Sequence, residues 1–191
     1  MVKRQQILQA ATTSFSMFGY KATTIEQVAK LAQVGKGTVY TFFDNKEQLL
    51  QETVLAMINE MKVETERNFD TSIAFMDNVH NSIIRLLKYR ERHLLFVKLL
   101  EEEKRLQTPA VKETIVNINR EIINFISDKL KTAIERGEIR PCNTEIIAYV
   151  MMKSYIALIV DWEQTYGGNP LAEDEIVDVI KTTIIGGLMA N

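Results

Sequence analysis

The sequence has few of the residues that break helices and few of those that cross-link a chain. Its 191 residues include only 8 Gly and 3 Pro, so long segments can form helices without interruption. A single cysteine, Cys142, cannot form an intramolecular disulfide or by itself build a zinc site. These shortages exclude a disulfide-stapled protein, make a β-rich fold improbable, and predict a mostly helical chain in a reducing compartment.

A long apolar segment is also missing. The longest apolar stretch, residues 146–160, contains Lys153 and Ser154 and is shorter than the roughly 20 residues that a helix needs to cross a bilayer. The first residues mix polar and apolar side chains and lack the solid apolar core of a signal peptide. We therefore expect a cytoplasmic protein with no membrane partner.

Charge is almost balanced over the whole chain but not along it. The formal net charge is −2, whereas residues 1–50 alone carry +3, so the remaining residues carry −5. A small basic end on an acidic body is the asymmetry expected when one part of a protein meets phosphates. This asymmetry favours nucleic-acid binding by the first 50 residues.

Three helices are predicted in this basic end, the second and third of them short. Residues 4–18 form an apolar stripe at spacings of three and four, which Gly19 ends. Thr23 followed by Glu26 has the spacing of a capping box, so a second helix is expected to begin there. Residues 33–35 break that helix, and a third runs over about 36–43. Two short helices with so brief a joint must cross steeply, which is helix-turn-helix geometry.

The third helix has one face without a packing purpose. At 100° per residue, Val39, Phe42 and Phe43 face the core. The opposite face carries a glycine, two threonines and a tyrosine, with a lysine at its amino end: Lys36, Gly37, Thr38, Tyr40 and Thr41. Small residues allow close approach to DNA, hydroxyls bond phosphates or base edges, and a helix amino terminus attracts anions.

The first 50 residues resemble the DNA-binding module of the TetR (tetracycline-repressor) family of bacterial transcription regulators. The resemblance lies in the run Ile7-Leu8-x-Ala10-Ala11-x3-Phe15-x3-Gly19-Tyr20-x2-Thr23-Thr24-Ile25-x2-Val28-Ala29-x2-Ala32-x-Val34-x-Lys36-Gly37-Thr38-Val39-Tyr40-x2-Phe43-x2-Lys46-Glu47-x-Leu49. Two positions depart from the family pattern. Gln33 stands where a glycine is usual in the turn, and Gly35 stands where a serine often caps the recognition helix.

The resemblance implies a helix-turn-helix DNA-binding domain over residues 1–46 and a helical ligand-binding and dimerisation domain over 47–191. The expected DNA-binding residues are Arg4, Thr23, Thr24, Lys36, Gly37, Thr38, Tyr40, Thr41 and Lys46. Among them, Thr23 or Thr24, together with Lys46, would anchor phosphates. Arg4 would lie in an amino-terminal arm, with an inert terminus as the alternative. No arginine or asparagine lies on the recognition face, so the bases of the operator cannot be written down.

The rest of the chain is predicted to be helical to its end. Six further helices, over about 45–68, 72–88, 90–106, 109–137, 143–167 and 171–188, give an all-α fold of about nine helices. The last two are too apolar for a helix with one face in water. In the resembled family these helices pair with their copies in a homodimer, and the expected interface residues are Ile146, Val150, Ala157, Val177, Ile180 and Ile184. Simple filling of a monomeric core is the alternative.

The resemblance also implies a ligand pocket between the middle helices. Its candidate lining combines methionines, aromatics and a few polar groups: Met57, Met61, Phe75, Met76, Arg90, His93, Phe96, Phe125, Met151, Tyr155 and Trp162. Such a lining suits a small, mostly apolar effector, although core packing explains each apolar residue singly. The run Glu101-Glu102-Glu103 is interpreted as a solvated helix face.

The combined prediction is a DNA-binding transcription regulator, a homodimeric repressor that an effector releases from a palindromic operator. An enzyme is not expected, because Gly35-Lys36-Gly37-Thr38 lacks the first glycine and the preceding strand of a phosphate loop, and because no Gly-x-Ser-x-Gly motif is present. No cofactor or metal is predicted. Two alternatives stay open: an architectural DNA-binding protein without a ligand, and a helical carrier or enzyme with a vestigial helix-turn-helix.

Overall fold

The computed structural model describes residues 2–88, 90–167 and 171–189. Its α-helices are α1 (Val2–Ala22), α2 (Ile25–Leu31), α3 (Lys36–Tyr40), α4 (Lys46–Arg67), α5 (Phe75–Lys88), α6 (Arg90–Leu106), α7 (Pro109–Glu135), α8 (Thr144–Ile156), α9 (Trp162–Tyr166) and α10 (Glu173–Val179). A π-helical segment, Ala157–Asp161, joins α8 to α9, and a second, Ile180–Ile185, continues α10. Counted as continuous runs, the described residues form nine helices, and the all-α prediction is confirmed.

The chain divides into two compact packing units. The first contains Met1–Glu60 and Arg90–Asn119, and the second contains Met61–Tyr89 and Arg120–Asn191. Both α4 and α7 therefore begin in one unit and end in the other. The predicted boundary at residue 46 concerns which residues bind DNA, and it stays a prediction.

The core of the first unit forms around α1. The buried side chains of this core come from the segment α1 to α4 and from α6: Ile7, Phe15, Val28, Val39, Phe43, Leu49, Leu50, Leu95 and Leu99. The apolar stripes predicted from helical spacing thus converge on one core, and α6 packs against α1 as part of it.

The break in α1 lies at Gly19, as predicted, but the helix resumes for one turn. Gly19 has φ +80°, a left-handed value that favours glycine. The following residues, here called the 20–22 turn, are closed by the Thr23 N–H, which donates to the Gly19 carbonyl at 3.3 Å. The Thr23 hydroxyl also donates to that carbonyl, at 2.8 Å. The chain therefore enters α2 from a hydrogen-bonded turn.

The capping box of α2 lies one residue later than predicted. Thr24 is the N-cap: its hydroxyl accepts from the Gln27 N–H at 3.2 Å, and the Gln27 side chain accepts from the Thr24 N–H at 2.8 Å. The sequence offers two adjacent threonines, each followed three residues later by Glu or Gln, so spacing alone could not choose between them.

The end of α2 explains why Gln33 is an unusual residue at its position. The Val34 N–H donates to the Ala29 carbonyl at 3.0 Å and the Gln33 N–H to the Lys30 carbonyl at 3.2 Å, which is a Schellman motif. Its central residue must be left-handed, and Gln33 has φ +55°. The same motif ends α7, where Gly137 occupies the equivalent position with φ +71°.

Replacing Gln33 by glycine should therefore stabilise the protein. A left-handed residue with a Cβ costs roughly 1–2 kcal/mol, and the greater freedom of glycine in the unfolded chain cancels part of the gain. We expect the Gln33→Gly variant to raise the free energy of unfolding by about 0.5–1 kcal/mol, measured by urea denaturation. Gln9→Gly, in the regular part of α1, should lower it by about as much, and an equal loss at both positions would contradict the interpretation.

The second unit has its own hydrophobic cluster. It is formed by α5, α7, α8, α10 and the chain's last described residues, with Phe75, Ile83, Leu87, Leu130, Ala133, Ile139, Ala148, Ile176, Val177, Ile180 and Leu188. The Arg140 N–H donates to the Leu188 carbonyl at 2.8 Å, which ties the loop after α7 to the end of the chain. No described helix is both long enough and apolar enough to cross a membrane.

Candidate DNA-binding surface

Helix α3 is shorter than predicted, and this changes one assignment. It ends at Tyr40 rather than near residue 43. Val39 and Phe43 are buried in the first unit as expected, but the Phe42 side chain is 37% exposed and does not face the core. The prediction for Phe42 was wrong because the advance of 100° per residue applies only within the helix.

The opposite side of α3 is exposed, as expected. Lys36, Gly37, Tyr40 and Thr41 are exposed and Thr38 is half-buried. The Tyr40 side chain is 46% exposed, although a large aromatic residue normally gains stability by burial. The Thr41 hydroxyl donates to the Thr38 carbonyl at 2.7 Å, so it presents its oxygen outward as an acceptor.

Gly37 is not required by the fold. A Cβ added at this position would meet nothing within 4 Å, and its backbone is helical rather than left-handed. Glycine in a helix interior costs roughly 0.5–1 kcal/mol relative to alanine. A residue that weakens the helix without a packing reason is the kind expected where a backbone must come close to a partner.

Replacing Gly37 by alanine should separate stability from DNA binding. The Gly37→Ala variant is expected to gain about 0.5–1 kcal/mol in its free energy of unfolding, because the helix is favoured and no atom obstructs the methyl group. Its affinity for the operator should fall about tenfold if the groove wall approaches this backbone. Thermal melting and a binding titration measure the two effects, and a variant that gains stability without losing affinity would show that Gly37 does not contact DNA.

Lys36, at the amino end of α3, forms an ion pair with Glu26 of α2. The hydrogen bond with Glu26 raises the pKa of Lys36, and the same bond lowers the pKa of Glu26. Both side chains are well exposed, so the pair is open to water and adds little stability. Lys36 therefore keeps its charge at neutral pH, and a phosphate would have to compete with the Glu26 carboxylate.

Arg4 does not lie in a flexible arm. It belongs to the first turn of α1, which begins at Val2. Its guanidinium pairs with Glu52 of α4 and lies 5.5 Å from the centre of the Phe43 ring. The prediction of an arm is corrected, because the helical pattern extends further toward the amino terminus than the apolar stripe indicated.

Lys46 has a structural role that the sequence did not reveal. At the amino end of α4, its ammonium donates to the Tyr20 carbonyl at 2.9 Å and to the Thr23 carbonyl at 3.0 Å. It also lies 4.3 Å from the centre of the Tyr20 ring. Burial lowers the pKa of Lys46 below its usual value, and the negative charge of Glu102 offsets only part of this effect. An ammonium group has three donors, so one has no partner among the described residues and is left for a phosphate.

Of the two threonines proposed as phosphate anchors, only Thr24 is accessible. Thr23 is 1% exposed and its hydroxyl bonds within the turn, so its side chain cannot reach DNA. Thr24 is exposed at the amino end of α2, where its hydroxyl accepts a bond and retains its proton as a donor. The prediction for Thr23 is therefore corrected, and that for Thr24 stays.

The ligand-pocket candidates are distributed over both packing units. Met57 is buried and Phe96 half-buried in the first unit. In the second, Phe75 belongs to the hydrophobic cluster and three further candidates pack against it: Met76, Met151 and Tyr155. Met61 and Phe125 are half-buried, and the Trp162 ring lies 4.4 Å from that of Tyr166 on the exposed side of α9. The side chains of Arg90 and His93 lie outside the described residues.

Core packing thus accounts for several candidates, and the pocket stays a prediction.

One buried polar atom of the second unit is not explained by core packing. The Nδ1 atom of His80, on α5, is buried and finds no hydrogen-bond partner among the described residues. Buried polar atoms are normally satisfied, so this nitrogen is a natural contact for a ligand or an ordered water.

The proposed interface residues divide into two groups. Ile146, Val150 and Ala157 are exposed on α8 and just after it, and Ile146 reaches 59%. Val177 and Ile180 are only 1% and 2% exposed, because they belong to the second unit's hydrophobic cluster. Their assignment to an interface is corrected. The Ile184 side chain lies outside the described residues.

One exposed side chain on this face, Tyr149, was not among the predicted interface residues. It lies on α8 between Ile146 and Val150. Val179, at the end of α10, is also exposed. Positions 146, 149, 150 and 157 follow helical spacing, so the stripe was visible in the sequence. What the sequence could not show is which side of each apolar helix the chain covers with its own residues.

The short helices α2 and α3, which contact each other across a brief turn, together with the polar outer face of α3, define a helix-turn-helix protein. Residues 7–53 match the model of the family described as bacterial regulatory proteins, tetR family. The uncharacterized HTH-type transcriptional regulator YhgD of Bacillus subtilis (strain 168) is 43% identical over 189 residues, which are 99% of this chain and 98% of that protein. The chain belongs to the TetR family.

Further comparisons agree with this assignment. The HTH-type transcriptional repressor KstR2 of Mycolicibacterium smegmatis is 24% identical over 187 residues, covering 97% of this chain and 90% of that protein. The structure of the transcriptional regulator FadR from Bacillus subtilis in complex with stearoyl-CoA has a TM-score of 0.77 at 18% identity, with 95% and 99% of the two chains covered. The protein is thus a DNA-binding transcription regulator, and the prediction that it is not an enzyme is confirmed by its family.

Proposed function

We propose that the protein is a cytoplasmic, homodimeric repressor that binds a palindromic operator and leaves it when a small, mostly apolar effector binds. The observation that carries the proposal is the outer face of α3, where exposed Tyr40 and Gly37 serve no packing purpose. Repression is supported by the name of KstR2, a repressor related over nearly the whole chain.

The contacts proposed on DNA fall into two groups. The residues of α3 and its end would enter the major groove: Lys36, Gly37, Thr38, Tyr40 and Thr41. Phosphates would be held by Thr24, by the third donor of Lys46 and by Arg4 once it leaves Glu52. Phosphate contacts fix the register and base contacts set the specificity, so variants of the two groups should differ in their salt dependence.

Dimerisation is supported by the exposed apolar face of α8. Ile146, Tyr149 and Val150 lie at helical spacing on one side of this helix and are not covered by the chain itself. A two-fold dimer would present its recognition helices about 34–36 Å apart, one turn of B-DNA, and would therefore select a palindrome. Val150→Asp should shift the sedimentation coefficient toward that of a monomer, whereas Val116→Asp, at a position of α7 that is at least as exposed, should not.

An effector is supported by two separate observations. FadR, which shares the fold, binds stearoyl-CoA, a ligand with a long apolar chain. In this chain, the unsatisfied Nδ1 of His80 offers a polar contact in the unit that contains most of the candidate lining. Since α4 begins in the DNA-binding part and ends in the second unit, we propose it as the element that an effector shifts. The effector acts only to the extent that it binds the released form more tightly.

The experiment that tests the proposal is a selection of randomised duplex DNA with the purified protein, followed by titrations of the best site at two salt concentrations. An enriched palindrome with a steep salt dependence supports the dimeric regulator. Weak binding that salt abolishes, without an enriched site, would instead favour an architectural protein or a carrier with a vestigial helix-turn-helix.

A further inference from the structure

Helix α6 places one buried carboxylate against the DNA-binding part of the chain. Glu102 is only 8% exposed, although the sequence pattern suggested a solvated face for the run of three glutamates. Its Oε2 accepts from the Tyr20 N–H at 2.7 Å, and its Oε1 accepts from the Lys21 N–H at 3.0 Å. All these residues belong to the first packing unit.

These two amides are the first of the 20–22 turn. At the start of a helical turn, N–H groups have no partner within the helix, and a carboxylate satisfies them and complements the dipole. The carbonyl groups of the turn are bound by a side chain of opposite charge. The Lys46 ammonium donates hydrogen bonds to the carbonyl oxygens of Tyr20 and Thr23. The turn is therefore held between a negative and a positive side chain from two different helices.

Gly19 makes this arrangement possible. Its left-handed backbone directs the next two amides toward α6, and a Cβ at this position would lie 2.7 Å from the Glu102 Oε2. The 20–22 turn leads directly into Thr24, the N-cap of α2, and contacts Lys46, the first residue of α4. The position of the turn therefore affects both helices that flank the recognition helix.

We propose that Glu102 is a positioning residue for DNA binding, which fixes the helix-turn-helix to α6 through the amides of Tyr20 and Lys21. The inference rests on the proposed function for its effect on operator affinity, but the contact itself can be measured without DNA. A displacement of α6 would pull the carboxylate from these amides and change the entry of the chain into α2.

The Glu102→Gln variant tests the contact with almost no change of shape. Its amide keeps one oxygen acceptor but places an NH2 donor against a backbone N–H donor. We expect operator affinity to fall at least about tenfold, because the variant loses about one charge-assisted hydrogen bond between residue 102 and the turn. Glu101→Gln is the matched control, because it removes the same charge from the neighbouring residue, and it should leave the affinity unchanged or slightly higher.

Amide hydrogen exchange in the DNA-free protein supplies a readout that general destabilisation would not reproduce. In Glu102→Gln the amides of Tyr20 and Lys21 should exchange at least about tenfold faster, while those of Val28 and Leu49 keep their wild-type rates. If the variant does not fold, hydrogen exchange in the wild-type protein still tests the contact. The proposal requires the amides of Tyr20 and Lys21 to be protected from exchange as strongly as the helix-interior amides of α1.

Three results would overturn the proposal: equal operator affinity in the two variants, unchanged exchange at Tyr20 and Lys21 in the Glu102 variant, or unprotected amides in the wild type. A wild-type protein that selects no operator refutes the proposed function instead. In that case, the exchange rates still show whether Glu102 holds the turn.

Discussion

Replacing Lys36 and Tyr40 together by alanine is expected to lower operator affinity at least about 100-fold while the protein stays folded. Each side chain that reaches phosphate or a base edge is worth about 1–3 kcal/mol, so the loss of two corresponds to a factor of this size or more. Both side chains are exposed and contribute little to the core. The free energy of unfolding should therefore change by less than about 0.5 kcal/mol.

Fluorescence anisotropy with the selected operator measures this affinity, and circular dichroism checks the fold. The matched control is the double variant Lys131→Ala and Tyr166→Ala, which removes an exposed lysine and an exposed tyrosine from the second unit. The single variants should also differ: Lys36→Ala should reduce the salt dependence by about one charge, and Tyr40→Ala should not. Retained affinity in the double variant would refute the assignment of α3 as the recognition helix.

Replacing Gly19 by alanine should cause the largest loss of stability, about 3 kcal/mol. Gly19 combines φ +80° with ψ 171°, a backbone conformation that essentially only glycine adopts, so a residue with a Cβ adds about 1–3 kcal/mol of strain there. The methyl group would also lie 2.7 Å from the Glu102 carboxylate, which must then give up at least one charge-assisted hydrogen bond worth about 1.5–3 kcal/mol. Urea denaturation at neutral pH measures the sum of the two effects.

Gly137→Ala is the comparison that separates these two causes. Gly137 also has a positive φ, +71°, as the left-handed residue of a Schellman motif, and an added Cβ there would meet nothing within 4 Å. It should therefore lose only the conformational part, about 1 kcal/mol. Equal losses at the two positions would mean that the carboxylate yields without cost, which is the opposite of what its burial indicates.

Features that depend on local spacing could be predicted from the sequence. The helices and the break at Gly19 follow from periodicity and from glycine, and the exposed face of α3 follows from the burial of Val39. Errors were of one residue or one turn: the cap moved from Thr23 to Thr24, and α3 ended before Phe42. At these positions two local alternatives differ by about 1 kcal/mol or less, so packing decides between them.

Features that depend on distant contacts could not be predicted. Glu102 and Tyr20 are 82 residues apart, and nothing in a run of three glutamates indicates which one meets a backbone amide. Likewise, an apolar stripe shows that Val177 and Ile146 avoid water, but it does not show that the chain itself covers the first and leaves the second exposed. Lys46 was expected on DNA, and its bonds to the 20–22 turn needed the fold to become visible.

The brevity of α3 has a consequence for how this protein can acquire new operators. A helix of five residues is far too short to form alone, so its shape depends on the burial of Val39 and Phe43 against the rest of the module. The side chains that face outward contribute almost nothing to that anchoring. Recognition can therefore be rewritten at Lys36, Thr38 or Tyr40, by evolution or by library design, without a loss of foldability.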